Sequence, residues 1–141
     1  MNLKEGIEKR YLVPEKSSPD LVEKELRESR YDLSRAKKAC QEGDYKWAII
    51  KSYYSMFHAG KAVCFQLGYR EKKHFAIAII LEELYSEGKL ESQFVAYFNA
   101  AIDSREGADY HYSYSQESPD HNLKMAEAFN IRASPAIPQL L

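Results

Sequence analysis

The strongest constraint on the fold is a set of apolar and small residues spaced three and four apart. The first set lies between Ser18-Pro19 and Gly43, at Val22, Leu26, Ser29, Leu33, Ala36 and Cys40. This spacing is typical of one buried helix face, while Ser-Pro and Gly commonly begin and end helices. It predicts a long helix that packs through a single face, with Ser18 as its N-cap.

Four further helices are predicted downstream. Residues 44–68, beginning at Asp44, carry apolar side chains on two faces, so this helix should be the central one. Ala59 and Gly60 are small enough to let the backbone of another helix approach closely. A third helix is expected from Lys73-His74 to Gly88, and a fourth from about residue 90 to Arg105 or Asp109. The fifth should begin at Ser118-Pro119 and end near Arg132. We therefore predict an all-α fold, an up-and-down bundle of four or five helices.

The remaining segments divide the chain into three parts. Residues 1–17 should form an N-terminal arm, irregular or with a short helix, and residues 18–132 the bundle. Two prolines predict an extended, flexible tail over residues 133–141. The alternation from Tyr110 to Ser115 resembles a strand, but a single short strand would lack a partner in an otherwise helical chain.

Composition narrows the functional classes. A chain of 141 residues is long enough for one domain, and its formal net charge of −1 excludes a broadly basic nucleic-acid-binding surface. The spacing of Cys40 and Cys64 fits no metal site or redox motif, which favours two buried free thiols in a reducing compartment. With no apolar leader and no membrane-length apolar run, we expect a cytoplasmic protein.

The candidate chemistry lies near the end of the fourth helix. Arg105 continues an apolar stripe formed by Phe94, Phe98 and Ala101, where a guanidinium is costly to bury unless it is paired or used. His111 follows after five intervening residues. A permanent cation beside an imidazole suits chemistry on phosphates, and Asp109 is placed to orient His111 or to pair with Arg105.

Metal-independent RNA cleavage requires a base for the 2′-OH proton, a cation for the charged phosphorane and an acid for the leaving 5′-oxygen. His111 suits either proton-transfer role, but one motif histidine in each chain is too few to serve as both acid and base. Two chains that bring two copies of His111 together would supply them. The competing interpretation is that Arg105 only pairs with Asp103, Glu106 or Asp109.

Other polar residues offer secondary candidates. Arg70, Lys72, Lys73 and His74 form the densest basic patch and are candidate RNA-binding residues, the alternative being a solvated loop. His58 is expected to be a hydrogen-bonded core histidine. The spacing of His111 and His121 does not support a metal site, so we expect no metal or other cofactor.

Several blocks of the sequence also resemble a known family. They are Gly43-Asp44-Tyr45-Lys46-Trp47-Ala48, Tyr53-Tyr54-Ser55-Met56-Phe57-His58-Ala59, Gly68 to His74, and Arg105 to His111. Their order and spacing over residues 20–130 resemble the HEPN domain family, in particular its small stand-alone UPF0332-like prokaryotic proteins.

The resemblance implies a helical bundle that pairs as a homodimer. Many HEPN proteins are metal-independent endoribonucleases that use an Arg, four to six residues and a His, with the two motifs of a dimer facing each other. The resemblance makes Arg105 and His111 catalytic, with Asp109, Tyr110 and Tyr112 supporting them. Members are often encoded beside a small nucleotidyltransferase antitoxin, while others bind nucleotides or are inactive scaffolds.

One departure concerns the tyrosine. The toxin subgroup carries His, any residue, then Tyr, whereas here His111 is followed directly by Tyr112 and then by Tyr114. The leading hypothesis is a toxin–antitoxin or defence endoribonuclease. The alternatives are a non-catalytic module that binds a nucleotide or a partner nucleotidyltransferase, and a structural dimer.

Overall fold

The computed structural model of the protein describes residues 1–110 and 117–136. Over these residues it contains six helices and two short strands. In chain order they are α1 (Leu3–Glu8), β1 (Leu12–Pro14), α2 (Pro19–Gln41), α3 (Tyr45–Gln66), β2 (Tyr69–Glu71), α4 (Ala76–Ser86), α5 (Ser92–Tyr110) and α6 (Glu117–Ala136). The predicted all-α bundle is confirmed.

Helix α3 is the centre of the bundle, as its two apolar faces predict. It packs against α2, α4, α5, α6 and β2. Helix α2 begins after the N-cap Ser18, with a proline in its first turn, and the chain turns into α3 at Gly43, whose φ is +75°. The positive φ is readily adopted by glycine, so it favours a tight connection between the two longest helices.

Several predicted helix ends need correction. Helix α4 begins at Ala76 rather than at Lys73-His74, which lie in the turn after β2. Helix α5 continues through Gly107 to Tyr110. Helix α6 begins at Glu117, so Ser118 lies inside its first turn, where the following proline is tolerated.

The C-terminal end of α6 also differs from the prediction. The helix extends through Ala136, beyond the predicted end at Arg132. The first part of the expected tail is therefore helical, and the rest lies outside the described residues. Within residues 1–110 and 117–136, no helix has the length and apolar character needed to cross a membrane.

A small antiparallel sheet was not predicted. Strand β1 pairs with β2 in the register Leu12↔Glu71 and Pro14↔Tyr69. Leu12 is fully buried, and α1 packs on α4, which fastens the N-terminal arm to the bundle. Strands of three residues are too short to show the period-two alternation by which a strand is detected.

Two close contacts fix how the helices pack. At Gly60 of α3, a Cβ atom would lie 2.6 Å from Cγ2 of Ile77, so the space beside this glycine is filled by a side chain of α4 and not, as expected from the sequence, by a backbone. Between α2 and α3, Ser29 Oγ donates to the carbonyl of Ser55 at 2.7 Å, and Ser55 Oγ donates to the carbonyl of Ser29 at 2.9 Å. Asn130 of α6 donates to Ser29 Oγ at 2.8 Å, and the whole cluster is buried.

Candidate functional site

Arg105 lies where the apolar stripe of α5 reaches the edge of the core. Phe94, Phe98 and Ala101 are buried, as the spacing predicts, whereas the Arg105 side chain is 21% exposed. One end of the guanidinium therefore faces the bundle and the other remains accessible. This rigid placement on a long helix is suited to presenting a cation to a ligand.

The polar contacts of Arg105 are long. Nη2 lies 3.6 Å from Oδ2 of Asp109 and donates to the hydroxyl of Tyr54 at 3.4 Å. The buried Nε atom has no hydrogen-bond partner among the residues that the structure describes. The guanidinium is thus incompletely satisfied within the described residues and retains donor capacity, since guanidinium carries five N–H donors.

Three tyrosine rings surround the same guanidinium. Its Cζ atom lies 5.7 Å from the ring centroid of Tyr53, 5.9 Å from that of Tyr54 and 5.4 Å from that of Tyr110. Burial by itself would lower the pKa of Arg105, but the neighbouring tyrosines and Asp109 offset it and raise the pKa above its ordinary value. Arg105 therefore stays charged, and the exposed Tyr110 ring extends the surface beside it.

His74 is joined to this group through Tyr53. The Tyr53 hydroxyl and His74 Nδ1 are 2.7 Å apart, and the imidazole lies 4.3 Å from the Phe57 ring, centroid to centroid. Tyr53 is buried, whereas His74 is exposed in the turn before α4. Although His74 as a residue is exposed, its ring lies against Tyr53 and Phe57, and the resulting desolvation lowers the pKa of the imidazole. The charge of Arg105 lowers this pKa further, so the imidazole is mainly neutral at pH 7.

The predicted basic patch is divided in space. Arg70 Nη2 pairs with Glu15 at 2.7 Å, and its guanidinium lies 4.8 Å from the centroid of the Phe65 ring. Lys72 and Lys73 are exposed beside His74. Of these four residues, His74 contacts one of the tyrosines beside Arg105, namely Tyr53. The RNA-binding role of the patch stays a prediction.

His58 lies in a separate cluster between α2 and α3. Its Nδ1 atom is 2.6 Å from Oε2 of Glu25, and its Nε2 atom is 3.6 Å from Oδ2 of Asp32. Burial raises the pKa of Asp32, while the nearby His58 opposes that shift. His58 is hydrogen-bonded as expected, but it is half-buried and not part of the core. In residues 1–110 and 117–136 no group of three or more His, Cys, Asp or Glu side chains, this cluster included, is arranged to hold a metal ion.

Two predicted site residues, His111 and Tyr112, lie outside the described residues. Asp109 contacts Arg105, which is one of its two expected roles. Tyr53 and Tyr54 were not assigned to the site from the sequence. They were named only as part of the block from Tyr53 to Ala59. Adjacent tyrosines on a helix lie about 100° apart, so one is buried here and the other reaches the surface, and both contact Arg105.

Comparison with known proteins identifies the class. The chain matches the HEPN domain family over residues 22–130, and it belongs to that family. The crystal structure of TT1696 from Thermus thermophilus has the same fold, with a TM-score of 0.69 at 17% identity. That match covers 85% of this chain and 98% of the other.

Two relatives are similar to this chain at different coverage. A UPF0332 protein from Archaeoglobus fulgidus is 31% identical over 121 residues, which cover 84% of this chain and 96% of that protein. A Methanocaldococcus jannaschii protein, MJ0142, whose name proposes that it is a toxin, is 27% identical over 90 residues. This second match covers 63% of this chain and 61% of the relative.

Proposed function

We propose that the protein is a metal-independent RNA endonuclease of toxin–antitoxin or defence type, which acts as a homodimer with a composite Arg/His site. The observation that carries the proposal is the Arg105 guanidinium at the end of a buried stripe. It is charged and partly exposed, and its Nε atom has no hydrogen-bond partner within residues 1–110 and 117–136. Membership of the HEPN family and a relative named as a toxin support the same function.

Arg105 suits the binding of the scissile phosphate. A guanidinium donates two parallel hydrogen bonds to phosphate oxygens and holds its charge at any working pH. Asp109 at 3.6 Å and the tyrosine rings orient it without consuming its donors in short hydrogen bonds. Because it is preorganised, it would stabilise the extra negative charge of the phosphorane transition state.

His111 would carry the proton transfers. In the proposed reaction the 2′-oxygen loses its proton to one imidazole and bonds to phosphorus, and the bond from phosphorus to the 5′-oxygen breaks. The 5′-oxygen takes a proton from the second imidazole. The products are a 2′,3′-cyclic phosphate and a 5′-hydroxyl. Two imidazoles require two copies of His111, and this requirement supports the homodimer.

A second function is favoured by one observation. Arg105 lies over the ring of Tyr110, which is 62% exposed. A cation and an exposed ring side by side bind a phosphate and a nucleobase without any proton transfer. The alternative is therefore a non-catalytic module that binds a nucleotide or works with a small nucleotidyltransferase.

The decisive experiment is cleavage of an end-labelled single-stranded RNA in EDTA. The wild type is compared with Arg105→Ala, Arg105→Lys and His111→Ala, and with Arg132→Ala, an arginine that pairs with Glu91 at 2.9 Å on another face. We expect wild-type and Arg132→Ala rates to agree. Arg105→Ala should be slower by about 100-fold or more, the usual loss for a transition-state donor, with Arg105→Lys between them.

Three results would contradict the proposal. Unchanged cleavage by Arg105→Ala would remove Arg105 from the site, and a purely monomeric protein in sedimentation would remove the composite site. If neither the wild type nor any variant cuts the RNA although all are folded, the non-catalytic binding module is favoured. Loss of nucleotide binding in Arg105→Ala but not in Arg132→Ala would then support that second function.

A further inference from the structure

The Arg105 site contains an imidazole that the Arg–His motif does not include. His74 comes from the turn before α4, and its Nδ1 atom lies 2.7 Å from the Tyr53 hydroxyl. Tyr53 also lies beneath the Arg105 guanidinium, at 5.7 Å from ring centroid to Cζ. One buried ring on α3 thus holds both an arginine from α5 and a histidine that is exposed to solvent.

The direction of the Tyr53–His74 hydrogen bond follows from burial. Tyr53 is 1% exposed, and among residues 1–110 and 117–136 its hydroxyl forms a hydrogen bond only with His74. If the imidazole donated, the hydroxyl proton would be a buried donor without an acceptor, which is unfavourable. The hydroxyl therefore donates, Nδ1 accepts, and the neutral ring carries its proton on Nε2.

The charges around His74 favour this neutral form. Arg105 from α5 and Lys61 from α3 disfavour a second positive charge, and the more distant His58 acts in the same direction. Glu71 from β2 acts in the opposite direction, but it is paired with Lys61 at 3.2 Å. Burial raises the pKa of Tyr53 well above its ordinary value, so its hydroxyl remains a donor.

We propose that His74 is a phosphate-contacting residue of the Arg105 site, which donates Nε2–H while neutral, and that Tyr53 is the positioning residue that fixes this tautomer. The ligand group is an anionic phosphate oxygen, of single-stranded RNA or of a free nucleotide. The inference rests on the proposed phosphate binding by Arg105. The inference adds His74 to Arg105 as a second hydrogen-bond donor to the phosphate. His74 comes from the same chain but lies far from Arg105 in sequence.

This assignment has a chemical consequence. A neutral imidazole with its proton on Nε2 cannot accept a proton at that atom, and giving the proton up would leave an imidazolate. His74 therefore binds and orients the phosphate but does not transfer protons in the cleavage step. The affinity that it contributes should be constant from pH 7 to pH 8, because it does not depend on imidazolium.

The tautomer can be measured directly by long-range ¹⁵N–¹H correlation of the histidine rings in the full-length protein at pH 7.5. We expect the Nε2–H tautomer for His74 in the wild type and a mixture of tautomers in Tyr53→Phe, which lacks the hydroxyl donor. A wild-type ring protonated at Nδ1 would overturn the inference whatever the binding data show.

Binding is tested with a labelled 2′-O-methyl oligoribonucleotide, which cannot be cleaved, and with adenosine monophosphate as the free nucleotide. His74→Ala should bind about tenfold more weakly, the usual loss for a hydrogen bond to a charged group. His74→Gln places an amide donor near the Nε2 position and should stay within about threefold of the wild type. The matched control is His121→Ala, an exposed histidine on α6.

The pattern of losses separates this inference from the proposed function. Weaker binding by Arg105→Ala with normal binding by His74→Ala would overturn the inference alone. Normal binding by both, or no binding by the wild type, would overturn both proposals. Affinity that falls about tenfold in the wild type from pH 7 to pH 8, but not in His74→Ala, would show that a charged imidazole binds instead. If His74→Ala weakens the binding of only one probe, either the oligoribonucleotide or adenosine monophosphate, that probe identifies the source of the phosphate that His74 contacts.

Discussion

Replacement of Gly60 by alanine tests the packing that positions the site. A Cβ atom at this position would lie 2.6 Å from Ile77 Cγ2, far inside van der Waals contact, and 3.7 Å from Phe98 Cε2, which is ordinary contact. The clash is therefore with a single methyl group across the α3–α4 interface. That interface also determines how His74, just before α4, meets Tyr53 on α3.

Two opposing contributions determine the expected change in the free energy of unfolding for Gly60→Ala. Alanine is better than glycine in a helix by about 1 kcal/mol, and an overpacked core costs about 1–3 kcal/mol. The net change in the free energy of unfolding should be a loss of about 0–2 kcal/mol. Ile77→Leu removes the offending Cγ2 branch while conserving volume and should cost less than about 1.5 kcal/mol alone.

The double variant Gly60→Ala/Ile77→Leu is the informative one. Without Cγ2 the new methyl group is accommodated, so the double variant should be more stable than the sum of the single changes by about 1–2 kcal/mol. The assay is urea unfolding followed by circular dichroism at 222 nm. All variants are measured at one fixed protein concentration, because the apparent stability of a self-associating protein depends on its concentration.

A second glycine serves as the control. Gly6→Ala places its Cβ 3.1 Å from the flexible end of Ile79 and should change stability by less than about 1 kcal/mol. Additive effects of Gly60→Ala and Ile77→Leu would refute the reasoning, because they would show that the Cγ2 contact does not limit the approach of α3 and α4.

Two further predictions concern the stability contributed by polar side chains. Ser29→Ala leaves the buried amide of Asn130 without its acceptor and should lower the free energy of unfolding by about 1–3 kcal/mol in the same assay, whereas exposed Ser34→Ala should be nearly neutral. The pKa of His74 is lower in the folded than in the unfolded chain, so its contribution to stability is present above about pH 6.5 and is lost as pH falls. The wild type should therefore lose stability relative to His74→Gln between pH 7 and pH 5, and parallel pH profiles of the two proteins would contradict this.

The helices were predictable because long amphipathic segments repeat their pattern many times. The buried stripe of α2 and the two-faced character of α3 appear in the sequence before any tertiary contact is known. The β1–β2 sheet was not predictable, since each strand has only three residues and its partner lies more than fifty positions away, as the Leu12↔Glu71 pair illustrates. Helix ends were displaced where Gly107 and Pro135 are tolerated inside helices.

The site was only partly predictable, for a related reason. Arg105 is conspicuous because a cation interrupts an apolar stripe, and Asp109 lies one helical turn further along. His74 and Tyr53 join it through packing between elements that are distant in sequence, and no local pattern encodes that proximity. The basic patch around Arg70 looked continuous in sequence, but Arg70 lies in β2 and pairs with Glu15, whereas Lys72, Lys73 and His74 lie in the turn that follows.

The hydrogen bonds between Ser29 of α2 and Ser55 of α3 affect the register in which these two helices pack. An apolar seam alone tolerates sliding by one helical turn, about 5.4 Å, because one aliphatic side chain packs nearly as well as another. The hydroxyl and carbonyl groups of Ser29 and Ser55 satisfy each other in one alignment, and any slip would bury them unpaired. The exchange of hydrogen bonds between Ser29 and Ser55 thus fixes the register of the antiparallel pair α2 and α3.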